Sequence, residues 1–306
     1  MLMIFRICQH LLIICKCIAK AVILWFIPKR EKDISRDVIL VTGGGRGIGR
    51  QLALSFAKHK PSQIILWGRH GDTLQSTCDE VKNLGVLCTY MVCDVGDREQ
   101  VYKCAEKVKS SVGDVTILVN NAGVVFGQLI LDSSEEQIQT TIKTNILAHF
   151  WTVKSFIPSM LESNYGHIVV LSSLLGLTGM KRAGDYVSSK FATTGMADAL
   201  REELRIMGKT GVTVTSVHPY QVENEMFAGL KTRLSGWLLP PLTETYVADQ
   251  TVRAVLRDQP VLILPRLMYF VIWFLSWTPN RVILEMAKLT GLSSAMDTFH
   301  GRLKQE

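Results

Sequence analysis

Short runs of β-favouring residues recur along the chain at 38–42, 63–67, 87–92, 115–119, 167–171, 212–217 and 261–264. Most are continuous Val, Ile and Leu, the pattern of strands covered on both faces rather than of strands with one wet face. Between them, at 48–59, 73–84, 98–111, 135–162 and 186–207, apolar positions recur every three or four residues, which predicts helices. A strict strand–helix alternation predicts the α/β class: one domain over 36–265, built on a doubly wound parallel sheet with helices on both faces. Such sheets bind ligands beyond the carboxyl ends of their strands, where the strand order reverses. The residues that follow each strand are therefore the ones to read for chemistry.

Two apolar stretches fall outside this alternation. Residues 1–30 hold a segment, 7–27, that is mostly apolar and about long enough to cross a bilayer. The apolar core runs directly into Trp25, Phe26, Ile27, Pro28, Lys29 and Arg30, which gives no small-residue cleavage site, so an uncleaved N-terminal membrane anchor is predicted. Lys16 and Lys20 lie within it, and a lysine near the bilayer centre costs about 2.5–3.5 kcal/mol. A shallow amphipathic or hairpin-like insertion is the alternative to a span. Lys29, Arg30, Lys32 and Arg36 follow the segment and only Arg6 precedes it, which places the downstream domain in the cytosol. The second stretch, 267–277, is too short to span. It is either a buried core helix or a helix of a membrane-proximal extension over 266–306, with Tyr269, Trp273 and Trp277 at the interface.

Composition narrows the picture. Hydrophobic residues make up 47% of the 306, high enough to suggest apolar surface that meets something other than water. The net charge of +7 suits an anionic cofactor or membrane surface; without a basic run interleaved with aromatics, nucleic acid is not expected. The seven cysteines include no Cys-x-x-Cys pair, which speaks against a disulfide framework and against a zinc site, so no metal is expected.

The first strand runs into Thr42-Gly43-Gly44-Gly45-Arg46-Gly47-Ile48-Gly49 and then a helix. This is the context of a Rossmann-type dinucleotide loop: Gly43 for the turn, Gly47 for approach of a pyrophosphate and Gly49 for tight helix packing. The helix start at Ile48 offers free N–H groups to phosphate. A kinase-type phosphate loop is excluded because Arg50-Gln51 stands where Lys-Ser/Thr is needed. The second strand ends at Gly68-Arg69 rather than at the acid that holds the ribose hydroxyls of NAD. Arg46 and Arg69 without a carboxylate suit the 2′-phosphate of NADP(H). Asp94 follows the third strand, where it either contacts the adenine or caps the next helix.

Tyr186 and Lys190 are four residues apart at the start of a helix, on one face. An ammonium beside a phenol, together with the positive nicotinamide of an oxidised cofactor, favours phenolate and lowers the Tyr186 pKa, so the pair is expected to pass a proton to or from an alcohol oxygen. Ser173, just beyond the fifth strand, is a candidate to hold that oxygen; its neighbour Ser172 is the rival, and a turn or helix cap is the plain alternative.

Together these residues resemble the short-chain dehydrogenase/reductase family. The resemblance spans about 36–260 and includes Asn120-Asn121-Ala122-Gly123 after the fourth strand and Asn145 in the long fourth-to-fifth helix. It implies that Tyr186 is the acid/base and that Lys190 binds the nicotinamide ribose. It also implies that Ser173 orients the carbonyl, that Asn145 holds a proton-relay water and that Asn120 belongs to the cofactor site. The stretches VTGGGRGIGRQLA, ILWGR, CDVGDREQVY, VGDVTILVNNA, NEMF and AMDTFHGR resemble the membrane-bound retinal reductase branch. That branch implies reduction of all-trans-retinal to retinol with NADPH, at the endoplasmic reticulum membrane or lipid droplet. A hydroxysteroid or fatty-alcohol dehydrogenase, and a regulatory partner of a related enzyme, are the alternatives. The long helices 135–162 and 186–207 resemble those that pair subunits in the family, implying a homo-oligomer or pairing with a relative. The chain departs from the family after the sixth strand, where Tyr220 stands for a glycine and Asn224 for a threonine.

Overall fold

The computed structural model describes residues 30–230 and 239–301, together with positions 6, 9, 11–13, 15, 16 and 19. Residues up to Lys32 form one unit, and Asp33–Glu306 the other. The anchor predicted at 1–30 lies largely outside the described residues. Among the described residues no helix is long and apolar enough to cross a membrane.

The seven predicted strands all form: β1 Val38–Thr42, β2 Gln63–Gly68, β3 Leu87–Val92, β4 Ile117–Asn120, β5 Gly166–Leu171, β6 Val212–Pro219 and β7 Val261–Leu264. They pair in parallel in the order β3-β2-β1-β4-β5-β6-β7. The register puts Thr42 beside Trp67 and Val41 beside Val119. The order reverses between β1 and β4, which opens the crevice where a ligand binds. Leu40, Ile65, Leu118 and Val170 bury one face of the sheet; Val41, Ile64, Val119 and Val169 bury the other. Both faces of the inner strands are dry, as the unbroken apolar runs predicted, while the edge strand β3 is largely exposed.

The helices cover those faces: α1 Gly47–Ala57, α2 Gly71–Asn83, α3 Arg98–Ser111, α4 Glu135–Ile142, α5 Ala148–Ser163, α6 Gly184–Ile206, α7 Glu244–Leu256, α8 Leu267–Trp277 and α9 Asn280–Thr290. The single helix expected over 135–162 is interrupted. Ser134 and Gln137 start α4 with a reciprocal capping box. A π-helical turn, Lys143–Leu147, then separates α4 from α5 and carries Asn145. Turns of this kind spoil the regular ladder and concentrate at functional sites.

The helix α8 settles the choice left open for 267–277. Only Met268 is buried, while Phe270, Trp273 and Trp277 are exposed, Trp277 at 79%. Tyr269 ties the helix to the sheet: its hydroxyl donates to the Val261 carbonyl at 2.8 Å and accepts from the Ile263 amide at 3.1 Å. The stretch is thus a surface helix, not a core one.

Candidate active site

The glycine loop sits over the carboxyl end of β1 because Thr42 and Asn121 staple it there. The Thr42 hydroxyl accepts the Asn121 and Ala122 amides at 3.0 and 3.1 Å and donates to the Val119 carbonyl at 3.3 Å. The Asn121 side-chain amide donates to the Thr42 carbonyl at 2.9 Å. Gly43 and Gly47 hold φ of +67° and +60°, a region that penalises side chains. A Cβ on Gly49 would lie 2.1 Å from the Gly43 carbonyl oxygen. The loop is therefore a cradle that glycine shapes, and Arg46, Gly47 and Ile48 at the start of α1 line the cleft, where a helix N-terminus suits a pyrophosphate.

Gly43, Arg46, Gly47, Ile48, Gly49, Arg69 and Asp94 all line this cleft. His70 and Thr73, which the sequence reading passed over, line it beside Arg69. Asp94 is not a helix cap. Its carboxylate accepts the Gly96 amide at 2.9 Å, while Asp97 caps α3 by accepting from Glu99 and Gln100. Asn120 differs from expectation. It is buried at the end of β4, where its carbonyl oxygen accepts the Thr152 hydroxyl at 2.8 Å, and Asn121 faces the cleft in its place. The reason is the two-residue alternation of a strand: consecutive side chains point to opposite sides.

Past the loop, the cleft ends at Ser173, Tyr186 and Lys190. Ser173 starts the 3₁₀ turn Leu174–Gly176, accepting the Leu175 amide at 3.1 Å, and its hydroxyl stands near enough to the Tyr186 phenol to favour phenolate. Ser172 turns away, donating to the Lys190 carbonyl at 3.1 Å with its hydroxyl 2.9 Å from that of Thr194. The pair that faces the cleft end is thus Ser173 and Tyr186. The Lys190 ammonium donates to the Leu171 carbonyl at 2.7 Å and lies 5.6 Å from the Tyr186 ring centre. Burial pulls Lys190 down to about 8.

Burial pushes the Tyr186 phenol well above its ordinary value, and the nearby Ser173 hydroxyl only partly offsets that. The lowering expected from Lys190 together with an oxidised nicotinamide belongs to the cofactor complex; this is the phenol of the protein alone. The ammonium is engaged by the Leu171 carbonyl, so desolvation outweighs it. Within the protein alone, Tyr186 is a protonated acid.

Asn145 is fully buried behind these groups. Its side-chain carbonyl accepts the Val124 amide at 2.8 Å, and its amide donates to the Val124 carbonyl and the Ser189 hydroxyl, each at 3.0 Å. Its main-chain carbonyl accepts the Thr193 hydroxyl at 3.1 Å. It ties the segment after β4 to the π-turn and to α6, and so positions the helix that carries Tyr186 and Lys190.

The short chain dehydrogenase family model matches residues 37–234, the stretch that holds every group above. The chain belongs to the short-chain dehydrogenase/reductase family. It is 41% identical over 285 residues to a human protein named short-chain dehydrogenase/reductase 3, covering 93% of each chain. It is 40% identical over 303 residues to retinol dehydrogenase 10-B of Danio rerio, covering 92% of this chain and 90% of the other. Among solved structures it resembles an alcohol dehydrogenase of Thermococcus sibiricus complexed with 5-hydroxy-NADP, at 25% identity and a TM-score of 0.63 over 75% of this chain and 95% of that one. As a member of the family, the protein is an oxidoreductase that binds a nicotinamide cofactor, and its glycine cradle fits the pyrophosphate of that group.

The remaining side of Tyr186 is apolar. Leu175, Ala183 and Met296 pack around it, with Val125, Met180 and Phe227 beside them. Phe227 meets the Tyr186 ring edge-on, with centres 5.7 Å apart. The 3₁₀ turn Glu225–Phe227 that presents it is started by Asn224, whose side chain accepts the Phe227 amide at 3.1 Å. The departure at 224 thus retains a capping side chain.

Proposed function

We propose that this protein reduces all-trans-retinal to all-trans-retinol with NADPH at a membrane surface. The observation that carries the reading is a buried, protonated phenol with an apolar cluster on one side and an arginine-flanked cofactor cleft on the other. Arg46 and Arg69 line the cleft and Gly68 holds the place of the carboxylate found in NAD-type sites, a combination suited to a 2′-phosphate. Similarity to proteins named retinol dehydrogenase supports the retinoid.

The bound nicotinamide would supply a hydride to the carbonyl carbon. The residues supply the rest. Ser173 Oγ and Tyr186 Oη hold the carbonyl oxygen, and Tyr186 Oη gives it a proton as charge develops. A phenol kept neutral by burial is matched to this direction, because reduction needs a donor where oxidation needs a base. Asn145 and Lys190 hold the helix and the ribose side of the cleft in register. The exposed Phe270, Trp273 and Trp277 of α8 supply an apolar face suited to a lipid interface.

The test is direct. Purified full-length protein with NADPH and all-trans-retinal is expected to yield retinol, with kcat/KM at least about 100-fold higher for NADPH than for NADH, equivalent to about 2.7 kcal/mol of selectivity. A preference for NADH would overturn the cofactor reading. Hydroxysteroids or fatty alcohols outperforming retinoids in the same panel would overturn the substrate.

A further inference from the structure

The C-terminal segment 295–301 follows the helices α8 and α9, and its first two residues pack into the interior. Ala295 and Met296 are fully buried, and Met296 lies in the cluster around Tyr186. The segment is held at two places remote in sequence, Lys181 and the pair Ala228 and Gly229. The Lys181 ammonium meets the Asp297 carboxylate at 2.8 Å, just before α6. The Thr298 hydroxyl donates to the Gly229 carbonyl at 2.6 Å. The His300 and Gly301 amides donate to the Ala228 carbonyl at 3.2 and 3.1 Å.

Two glycines on facing loops make room for it. Gly229, at φ +86°, lies so close that a Cβ there would be 2.2 Å from the Thr298 carbonyl oxygen. Gly127, at φ +73°, receives the Phe299 ring: a Cβ there would lie 2.1 Å from two of its carbons. Phe299 in turn packs against Phe227, centres 6.5 Å apart, and Phe227 against Tyr186. A continuous row of three aromatic rings thus leads from the catalytic phenol to the strap.

A strap so seated packs on the apolar side of Tyr186, the side toward which a substrate with its carbonyl on the phenol would extend. We propose that 295–301 is the wall on that side, and that Phe299, seated on Gly127, is a specificity-determining residue that holds the long apolar body of the substrate. This rests on the retinal reductase reading above and names the residues that would select for it. Beyond the phenol the row, Phe227 and Phe299 set edge to face, offers apolar surface without a hydrogen-bond donor, which suits an extended conjugated or aliphatic chain and gives little to a short or polar carbonyl.

The experiment measures binding rather than turnover, so that it stands apart from the activity. The probes are all-trans-retinol, followed by its fluorescence, and NADPH, each titrated into full-length protein. Phe299→Ala removes the ring and Gly127→Ala unseats it. Each is expected to weaken retinol binding at least tenfold and leave NADPH binding within threefold. Unchanged retinol affinity in both variants would overturn the proposal. Equal losses for both ligands would overturn it too, since the strap would then support the whole fold rather than one wall. Wild-type protein that binds retinol without reducing retinal would defeat the activity reading and leave this one standing. Wild-type protein that binds no retinol would defeat both.

Discussion

On one side of Tyr186 the wall is backbone. The cofactor cleft is shaped by glycines at 43, 47 and 49 and by one Thr–Asn staple, all from turns that directly follow neighbouring strands. On the other side the wall is side chain. Phe227, Met296 and Phe299 come from segments far apart in the sequence and meet only through the fold. The difference teaches that a group common to many enzymes is held by the main chain in a motif that must stay short. The variable partner is held by packing, which any apolar residue of the right size can supply.

The largest effect is expected at the boundary between the two. Tyr186→Phe removes the hydroxyl and keeps the ring that meets Phe227, so neither wall is disturbed. Retinal reduction should fall about 10³-fold or more, the scale of a lost general acid, with NADPH and retinol affinities both within threefold. Steady-state kinetics and two titrations check it. A variant retaining a tenth of wild-type turnover would break the assignment of Tyr186 as proton donor.

A smaller effect, confined to one side, is expected from Gly49→Ala. The new Cβ must push the Gly43 carbonyl, at 2.1 Å, and with it the phosphate turn. NADPH affinity should drop on the order of 100-fold, about 2.7 kcal/mol, while retinol affinity holds within threefold. It is the mirror of the strap variants. If Gly49→Ala weakened both ligands alike, the two walls would not be separable and the comparison would fail.

The same contrast explains what could be read from the sequence. The sheet and the phosphate loop were legible because each is local: an apolar run, a turn, three glycines at fixed spacing. Tyr186 and Lys190 were legible because one helical turn sets them side by side. Asn120 was misplaced because adjacent residues at a strand end point to opposite sides, and spacing alone does not say which faces the cleft. The π-turn at Lys143–Leu147 leaves no break in apolar periodicity, so one long helix was expected. The helix α7 was missed despite a real signal: Thr243 caps it and Val247, Ala248, Val252 and Val255 bury one face. The strap was not legible at all, since the contact of residue 127 with residue 299 carries no local pattern. The upward push on the Tyr186 phenol in the protein alone was not legible for the same reason. Pairing is set by spacing, but desolvation is set by everything that packs around the group.

The smallest effect separates the buried polar layer from both walls. His149 lies on α5, fully buried, and neither ring nitrogen has a protein partner. Burial, aided by the Lys190 charge, keeps it neutral down to about 3. His218, whose ring contacts the Ser173 carbonyl and the Ser216 hydroxyl, is kept neutral down to about 4, also by burial. An unfolded chain takes up these protons near pH 6.5. Below that, the unfolded state binds more protons than the folded one, so stability present above 6.5 is lost as the pH falls toward 3–4. For His149 the loss between pH 7 and pH 5 amounts to about 2 kcal/mol. His149→Leu fills a similar space without a titrating ring, so urea unfolding at the two pH values should show the difference shrink by about that amount. NADPH and retinol affinities at pH 7 should stay within threefold, because His149 lines neither wall. An unchanged pH dependence would mean that the imidazole is already protonated in the fold, and that the layer behind the catalytic helix is wetter than its burial implies.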